Sequence, residues 1–386
     1  MVRLVRSGKS MHVVADQMRV SQSTVSLWVG RAKGLRLDRV DFCDRMPGCV
    51  RGWNRMASHV EQRIAELRKT LREESVLGEY GARPIQAALK AEMSSALPSL
   101  ATINRALSRQ GLQDGTRRIR RPAPPKGWYL PSLAAGKAEL DCFDLIEELK
   151  IAGGPLVWVL NATSLHGGLV NSWPLEQATA KQALGCVLAR WQRDGLPTYA
   201  QFDNGTQFQG AHQFADSVGR VSRLCLALGV IPVFAPPREP GFQNAIEGFN
   251  GLWQTKVWQR WRFENIAQLE AACARYVSAH RARSSPRREQ APKRRAMPQD
   301  FTLNLDAKPT GTMIFLRRTD EHGRAHLLGQ IFDISERWPH RLVRSEVNFT
   351  EEHIRFYALR RRDPEDQPLL HEIAYQRQYK RFQGEP

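Results

Sequence analysis

No stretch of the 386 residues is long and apolar enough to span a bilayer as a helix, and the first residues lack the apolar core of a signal peptide. A soluble, cytoplasmic protein is therefore expected. Cysteine is scarce: Cys43, Cys49, Cys142, Cys186, Cys225 and Cys273 show neither zinc-ligand spacing nor the density of a disulfide scaffold. Reduced, mostly buried thiols follow. A complete Gly-x-x-x-x-Gly-Lys-Ser/Thr loop is missing, so the chain carries no phosphate cradle of that kind. Acids are the minority charge, 39 against 57 Lys plus Arg, for a net charge of +18. A chain so basic binds a polyanion or an anionic lipid surface. Its cations are spread over several segments rather than one amphipathic helix, which favours nucleic acid. Hydrophobic residues make up 42%, enough for buried cores, and the length suits three or four domains.

Residues 1–40 read as one small helical unit. Val14 and Met18 give a first helix its inner face, Val20 fills a turn, Ser21 caps, and Val25, Trp28 and Val29 repeat at helical spacing. The second helix points Gln22, Ser23, Thr24, Arg31 and Lys33 outward, polar and basic as entry into a major groove requires. This resembles the helix-turn-helix of bacterial DNA-binding proteins. Residues 57–115 look like a second such unit: Ser99 caps a helix with Ile103 and Leu107 inward and Thr102, Asn104, Arg105 and Arg109 outward. Residues 116–127 form a Pro-rich basic linker whose Arg117 and Arg118 suit a phosphate backbone.

From residue 128 the pattern changes to strands and helices. Strand-like segments at Lys137–Phe143, Pro155–Leu160 and Gly168–Pro174 precede a helix, Ala178–Gln192. A strand at Tyr199–Phe202, a helix at Ala211–Leu228, a strand at Val230–Phe234 and a helix carrying Glu247 complete the series. Three consecutive strands pair most simply as a meander, and the later helical crossovers demand parallel pairing. A mixed five-stranded sheet covered by helices is expected. Three acids stand at its strand ends and closing helix: Asp141, Asp203 followed by Asn204-Gly205, and Glu247. Asp144, three residues after Asp141, faces the opposite side of a regular strand and is the alternative; Asp141 is the expected ligand. Glu139 shares Asp141's face, and its reading is an ordinary salt bridge to a cation. Three carboxylates of this kind form a cage for divalent metal, and metal there suggests phosphoryl transfer.

The strand order, the three acids and the phrases Leu196-Pro197, Leu228-Gly-Val and Pro236-Pro together resemble the catalytic core of DDE transposases and retroviral-type integrases. Within that family the chain is most similar to bacterial insertion-sequence transposases with N-terminal helix-turn-helix units. The resemblance covers roughly residues 128–300 and implies a ribonuclease-H-like fold. It also implies two Mg²⁺ (or Mn²⁺) ions on Asp141, Asp203 and Glu247, DNA as substrate, and at least a dimer holding two DNA ends. Cleavage of an element's end and its transfer to target DNA would be the activity. A non-catalytic DNA-binding regulator and a ribonuclease-H-type nuclease are the rival classes. Asp203 and Glu247 are 44 positions apart, about two helical turns more than the family's usual spacing. The surplus is expected near Gln209–Val221, at the surface. Along Glu247's helix, Ile246, Phe249, Trp253, Val257 and Trp261 form the inward stripe, and Asn250 and Gln254 extend the polar line from Glu247 toward DNA.

Beyond the core, residues 280–295 concentrate seven cations and read as a DNA-backbone tether. Residues 305–362 read as short strands, similar to the small SH3-like all-β barrel of integrases. The tail, 363–386, is expected to be loosely ordered. The fold class is therefore multidomain: two α-helical units, an α/β ribonuclease-H-like core, and a C-terminal barrel.

Overall fold

The computed structural model describes residues 1–43, 56–92, 97–113, 126–152, 154–210, 214–239 and 241–377. The chain forms two units, Met1–Gln62 and Arg63–Pro386. In the first, α1 (Val2–Arg6), α2 (Met11–Met18) and α3 (Gln22–Arg31) close on Val14, Ala15 and Val25. Ser10 and Ser21 cap α2 and α3 by accepting from Val13 and Thr24 N–H. Arg19, in the left-handed region at φ 54°, makes the turn between them. Met18, expected inside, is 44% exposed, because α2 turns its Val14–Ala15 side to the core.

The second unit contains most of α4 (Ser58–Glu74), then α5 (Ala82–Glu92) and α6 (Leu100–Arg109). Ile85, Leu89, Ile103 and Leu107 are buried between their helices' polar faces, and Ser99 caps α6 through Thr102 N–H. After the short α7 (Pro131–Ala134) come β1 (Leu140–Lys150), β2 (Leu156–Ser164), β3 (Val170–Leu175) and α8 (Ala180–Asp194). Then follow β4 (Tyr199–Phe202), α9 (Thr206–Gln209), α10 (Arg220–Ala227), β5 (Ile231–Phe234), α11 (Asn244–Trp253), α12 (Ile266–Arg283) and α13 (Ser285–Gln290). β1–β2–β3 is an antiparallel meander, and β4 and β5 add in parallel on the other side of β1.

The C-terminal strands β6 (Thr312–Arg318), β7 (Arg324–Leu327), β8 (Gln330–Asp333), β9 (Leu342–Asn348), β10 (His353–Leu359) and β11 (Leu369–Ala374) correct the expectation of a separate barrel. β6 pairs in parallel with β5, and β9, β10 and β11 continue outward, so one nine-stranded sheet runs β11-β10-β9-β6-β5-β4-β1-β2-β3. The seam is sealed by a row of phenylalanines on neighbouring strands. Phe143, Phe202, Phe234 and Phe315 stack at centroid separations of 5.1, 6.2 and 5.1 Å. All four are fully buried. Residues side by side on adjacent strands share a face, so a core built this way makes β6 part of the central sheet. The expected tail is likewise partly ordered, since Leu369–Ala374 is the edge strand. β7 and β8 form a hairpin turning at Leu328 and Gly329, both at positive φ.

One face of the sheet packs on α8, α9 and α10, the other on α11 and α12. Of the expected Ala211–Leu228 helix, residues 211–213 lie outside the described residues and the eight-residue α10 forms its later part, with the short α9 ahead of it. Gly210 and Gly219 approach backbone to backbone, with Gly219 N–H donating to Gln209 O at 2.7 Å. The surplus segment is not a free surface loop. Asp216, 5% exposed, accepts from Gln330 Nε2 at 2.6 Å and from Tyr375 Oη, and its backbone meets Leu328 O and Arg377 Nε. The C-terminal strands clasp it.

Candidate active site

Strand alternation decides which acid of β1 meets which partner. In the parallel β1–β4 pair, Asp141 lies beside Ala200 and Cys142 beside Gln201. Continued two residues, that register puts Asp144 level with Asp203, on the face shared by Cys142 and Gln201. Asp141 shares the opposite face with Phe143, toward α8.

Asp141 is therefore not where the sequence reading put it. Its carboxylate is fully buried and accepts from Arg190 Nε and Nη2 (2.9 and 2.7 Å), Trp191 Nε1 (3.1 Å) and Arg294 Nη1 and Nη2 (3.0 and 2.6 Å). Burial pushes its ionisation up, but the two guanidinium groups outweigh that and hold it well below the usual carboxylate range. All its lone pairs are spoken for by the protein, which leaves none for metal. Glu139 accepts from the N–H groups of Leu140, His166 and Gly167.

Asp144 meets the other two acids. Burial, then the charge of Asp203, then that of Glu247 raise its ionisation to about 7. Neither Asp144 nor Glu247 makes an ion pair among the described residues. Asp203 follows directly on β4, and its Oδ1 accepts Gly205 N–H at 2.9 Å. Asn204-Gly205 leads into α9, so the acid sits at a strand-to-helix turn. Asn204 Nδ2 donates to Ala235 O at 2.7 Å, holding this turn to the end of β5. Glu247, in the first turn of α11, is exposed, while Ile246, Phe249 and Trp253 anchor the helix inward. Tyr129 Oη bridges Gln201 Oε1 and Phe242 O, both at 3.1 Å, tying β4 to the approach of α11.

Asn250 is the residue sequence reasoning misplaced most usefully. It does not line an outward stripe; it is 9% exposed and donates Nδ2 to Asp144 Oδ2 at 2.6 Å. Asn161 Nδ2 donates to its Oδ1 at 2.8 Å, which fixes which end of the amide faces the acid. The chain Asn161–Asn250–Asp144 links β2, α11 and β1 through side chains one helical turn from Glu247. The three-residue spacing of Glu247 and Asn250 on a helix was a readable signal. Gln254 is half-buried where α11 passes into a π-turn, and Trp261, placed in the inward stripe, is 53% exposed because that turn rotates the stripe.

As a donor set, Asp144, Asp203 and Glu247 fit a divalent cation: oxygen ligands, one shared face, mutual repulsion that a cation relieves. Among the described residues no three such side chains are drawn in tightly enough to hold an ion as they stand. The set is open, with Glu247 at its exposed side.

The expected DNA contacts divide similarly. Gln22, Ser23 and Lys33 are exposed, whereas Thr24 Oγ1 is 2.8 Å from Ser21 Oγ and Arg31 stacks 4.6 Å over Trp28. On α6, Asn104, Arg105 and Arg109 are exposed and Thr102 Oγ1 is 2.9 Å from the Ser99 cap. Arg117 and Arg118 lie outside the described residues, as does the linker up to residue 125. The 280–295 tether is instead largely an internal clamp. Arg281 pairs with Asp194, Arg287 donates to Leu165 O, Arg294 holds Asp141, and Arg295 donates to Leu228 and Gly229 O. A charge run and a clamp look alike in sequence; only the acceptors tell them apart.

No protein-family model matches the chain, and no curated protein is similar to it in sequence. Among solved structures it is similar to the catalytic core domain of BIV integrase, at 21% identity over 36% of this chain and 81% of that one, with a TM-score of 0.28. It is also similar to the simian T-cell lymphotropic virus intasome in complex with PP2A regulatory subunit B56 gamma (13% identity, 70% and 87% covered, TM-score 0.34). A third is the HTLV-2 integrase catalytic core domain in complex with magnesium (12%, 41% and 86%, TM-score 0.27). Likenesses of this size carry no weight for family or activity, and the case for the site stands on its carboxylates.

Proposed function

We propose that the chain is a metal-dependent DNA polynucleotidyl transferase, a transposase that cleaves element ends and joins them to target DNA, with Asp144, Asp203 and Glu247 as its acids. One observation carries the reading. Asp144 on β1 lies level with Asp203 at the end of β4, and its ionisation is pushed up by burial and then by the charges of Asp203 and of Glu247 on α11. Such a cluster is costly in a folded protein without a cation to share, and proteins keep strained electrostatics mainly where function uses them.

Bound there, one or two Mg²⁺ or Mn²⁺ ions would supply charge stabilisation for in-line displacement at phosphorus. The chain's own part is to hold the ligands. Asn250 fixes the orientation of Asp144, Gly205 N–H restrains Asp203, and α11 presents Glu247 at the solvent side where a DNA strand can approach. No side-chain nucleophile is required, since water or a DNA 3′-hydroxyl attacks. The +18 charge supports DNA as partner, with α3 and α6 as reading helices, and joining two ends calls for at least a dimer. The protein belongs in the cytoplasm, on DNA.

The test uses purified chain, Mg²⁺, and DNA carrying the repeats that flank the reading frame. Joined products are expected from the wild type and from any folded Asp141→Asn protein. Asp144→Asn should bind ends without joining them; joining by that variant sinks the assignment.

A further inference from the structure

Asn204, next in the chain to Asp203, lines a cavity of about 450 Å³ together with Gln209, Arg317, His326, Gly329 and Gln330. Two features of its wall ask for a ligand. Arg317, on β6, is 7% exposed and donates only to neutral oxygens: His326 O and Leu316 O at 2.9 Å, Asn204 Oδ1 at 2.8 Å and Ala235 O at 3.4 Å. No carboxylate pairs with it among the described residues, and burial lowers its ionisation to about 10. A buried guanidinium without a counter-charge is unfavourable. Gln209 is 4% exposed, and its Oε1 has no hydrogen-bond partner among the described residues. A buried amide oxygen left unpaired is unfavourable as well.

An anion without an N–H or O–H would satisfy Arg317 and leave Gln209 orphaned; a neutral donor would do the reverse. A nucleotide offers both, and the volume is that of a small-molecule site. We propose that this cavity takes one unpaired nucleotide of the DNA strand that passes the carboxylates, its phosphate against Arg317 and an N–H or O–H of its base or sugar on Gln209 Oε1. The inference rests on the reading of Asp144, Asp203 and Glu247 as a DNA-processing site and deepens it. The C-terminal strands thereby become part of substrate handling, because β6 delivers the cation and the β7–β8 hairpin forms the opposite wall. Unstacking one nucleotide beside the reacting phosphate would be offset by these two contacts.

The test titrates each 2′-deoxynucleoside 5′-monophosphate, its nucleoside and inorganic phosphate into the full chain by calorimetry, without metal. At least one monophosphate should bind about tenfold more tightly than its nucleoside or phosphate alone. Gln209→Leu, which keeps shape and removes the acceptor, should weaken it about tenfold, and Arg317→Lys at least as much. If Arg317→Lys fails to fold, Gln209→Leu decides. Binding should persist in Asp144→Asn. Phosphate binding as tightly as every monophosphate, indifference to Gln209→Leu, or no monophosphate binding would each overturn the proposal. Because the assay contains no metal and no joining step, its failure leaves the carboxylate reading standing. Conversely, nucleotide binding without wild-type joining counts against the carboxylates alone.

Discussion

Replacing Asp144 by Asn should make the protein more stable, and more so as pH rises. The carboxyl's ionisation moves from an ordinary 3.8 to about 7 in the fold, through burial and the charges of Asp203 and Glu247. A folded-state value above the unfolded one means the native state holds the proton more tightly. The carboxyl's contribution to stability therefore falls as pH climbs from about 4 to about 7, and stays low above that. Linkage puts the accumulated cost at about 1 kcal/mol at pH 4.5 and roughly 4 kcal/mol at pH 8. Asparagine has nearly the same shape, cannot ionise, and escapes this cost. Urea unfolding of wild type and Asp144→Asn, in chelator at both pH values, measures it. The variant's advantage should grow several-fold from pH 4.5 to pH 8, and Mg²⁺ at pH 8 should raise the wild-type midpoint while leaving the variant's unchanged. An advantage independent of pH would mean that neither burial nor the other two acids raise Asp144's ionisation, and the site would lose its main support.

Asp141→Asn should act oppositely, destabilising by about 3–5 kcal/mol at neutral pH, since Arg190 and Arg294 lose their buried counter-charge; a thermal melt reads this, and a gain in stability would contradict it. Asn250→Ala should lower joining about tenfold at fixed Mg²⁺ and partly recover at higher Mg²⁺, because it loosens Asp144 without removing a ligand; a wild-type metal titration would refute the positioning role. Phe315→Ala should cost about 3–5 kcal/mol and shift the unfolding of α8–α10 and the C-terminal strands together, as hydrogen exchange would show, if the phenylalanine row joins them into one sheet. Arg105→Ala should weaken DNA binding uniformly across sequences and reduce its salt slope by about one, whereas an altered base preference with an unchanged slope would place Arg105 at a base edge.

Periodicity and local chemistry made much of this molecule readable. The meander and the parallel additions of β4 and β5 follow from helix lengths and strand runs, and the Ser21 and Ser99 caps follow from their spacing. Asp203 and Glu247 were legible because each begins or ends an element with its own signature. Asp141 against Asp144 was not, although the strand's alternation contains the answer. Parity shows that the two acids face opposite sides; only packing says which side α11 covers and which side Arg190 and Arg294 reach. Arg294 lies 153 positions from Asp141, and no local pattern announces such a pair.

The C-terminal third shows the same division. Its strands and turns are local facts, written in alternation and in glycine positions. Their destination is not, because a strand's edge can pair with any exposed edge of matching register, and β6 finds β5 through the row of Phe143, Phe202, Phe234 and Phe315. Sequence by itself determined most of the elements, the charge, and the places of Asp203 and Glu247 at the end of β4 and the start of α11. Tertiary packing alone decided that Asp144 rather than Asp141 faces Asp203 and Glu247, that Arg281, Arg287, Arg294 and Arg295 bind acceptors within the chain, and that the last strands extend the central sheet. Each of those choices depends on partners far away in the chain, which local pattern does not encode.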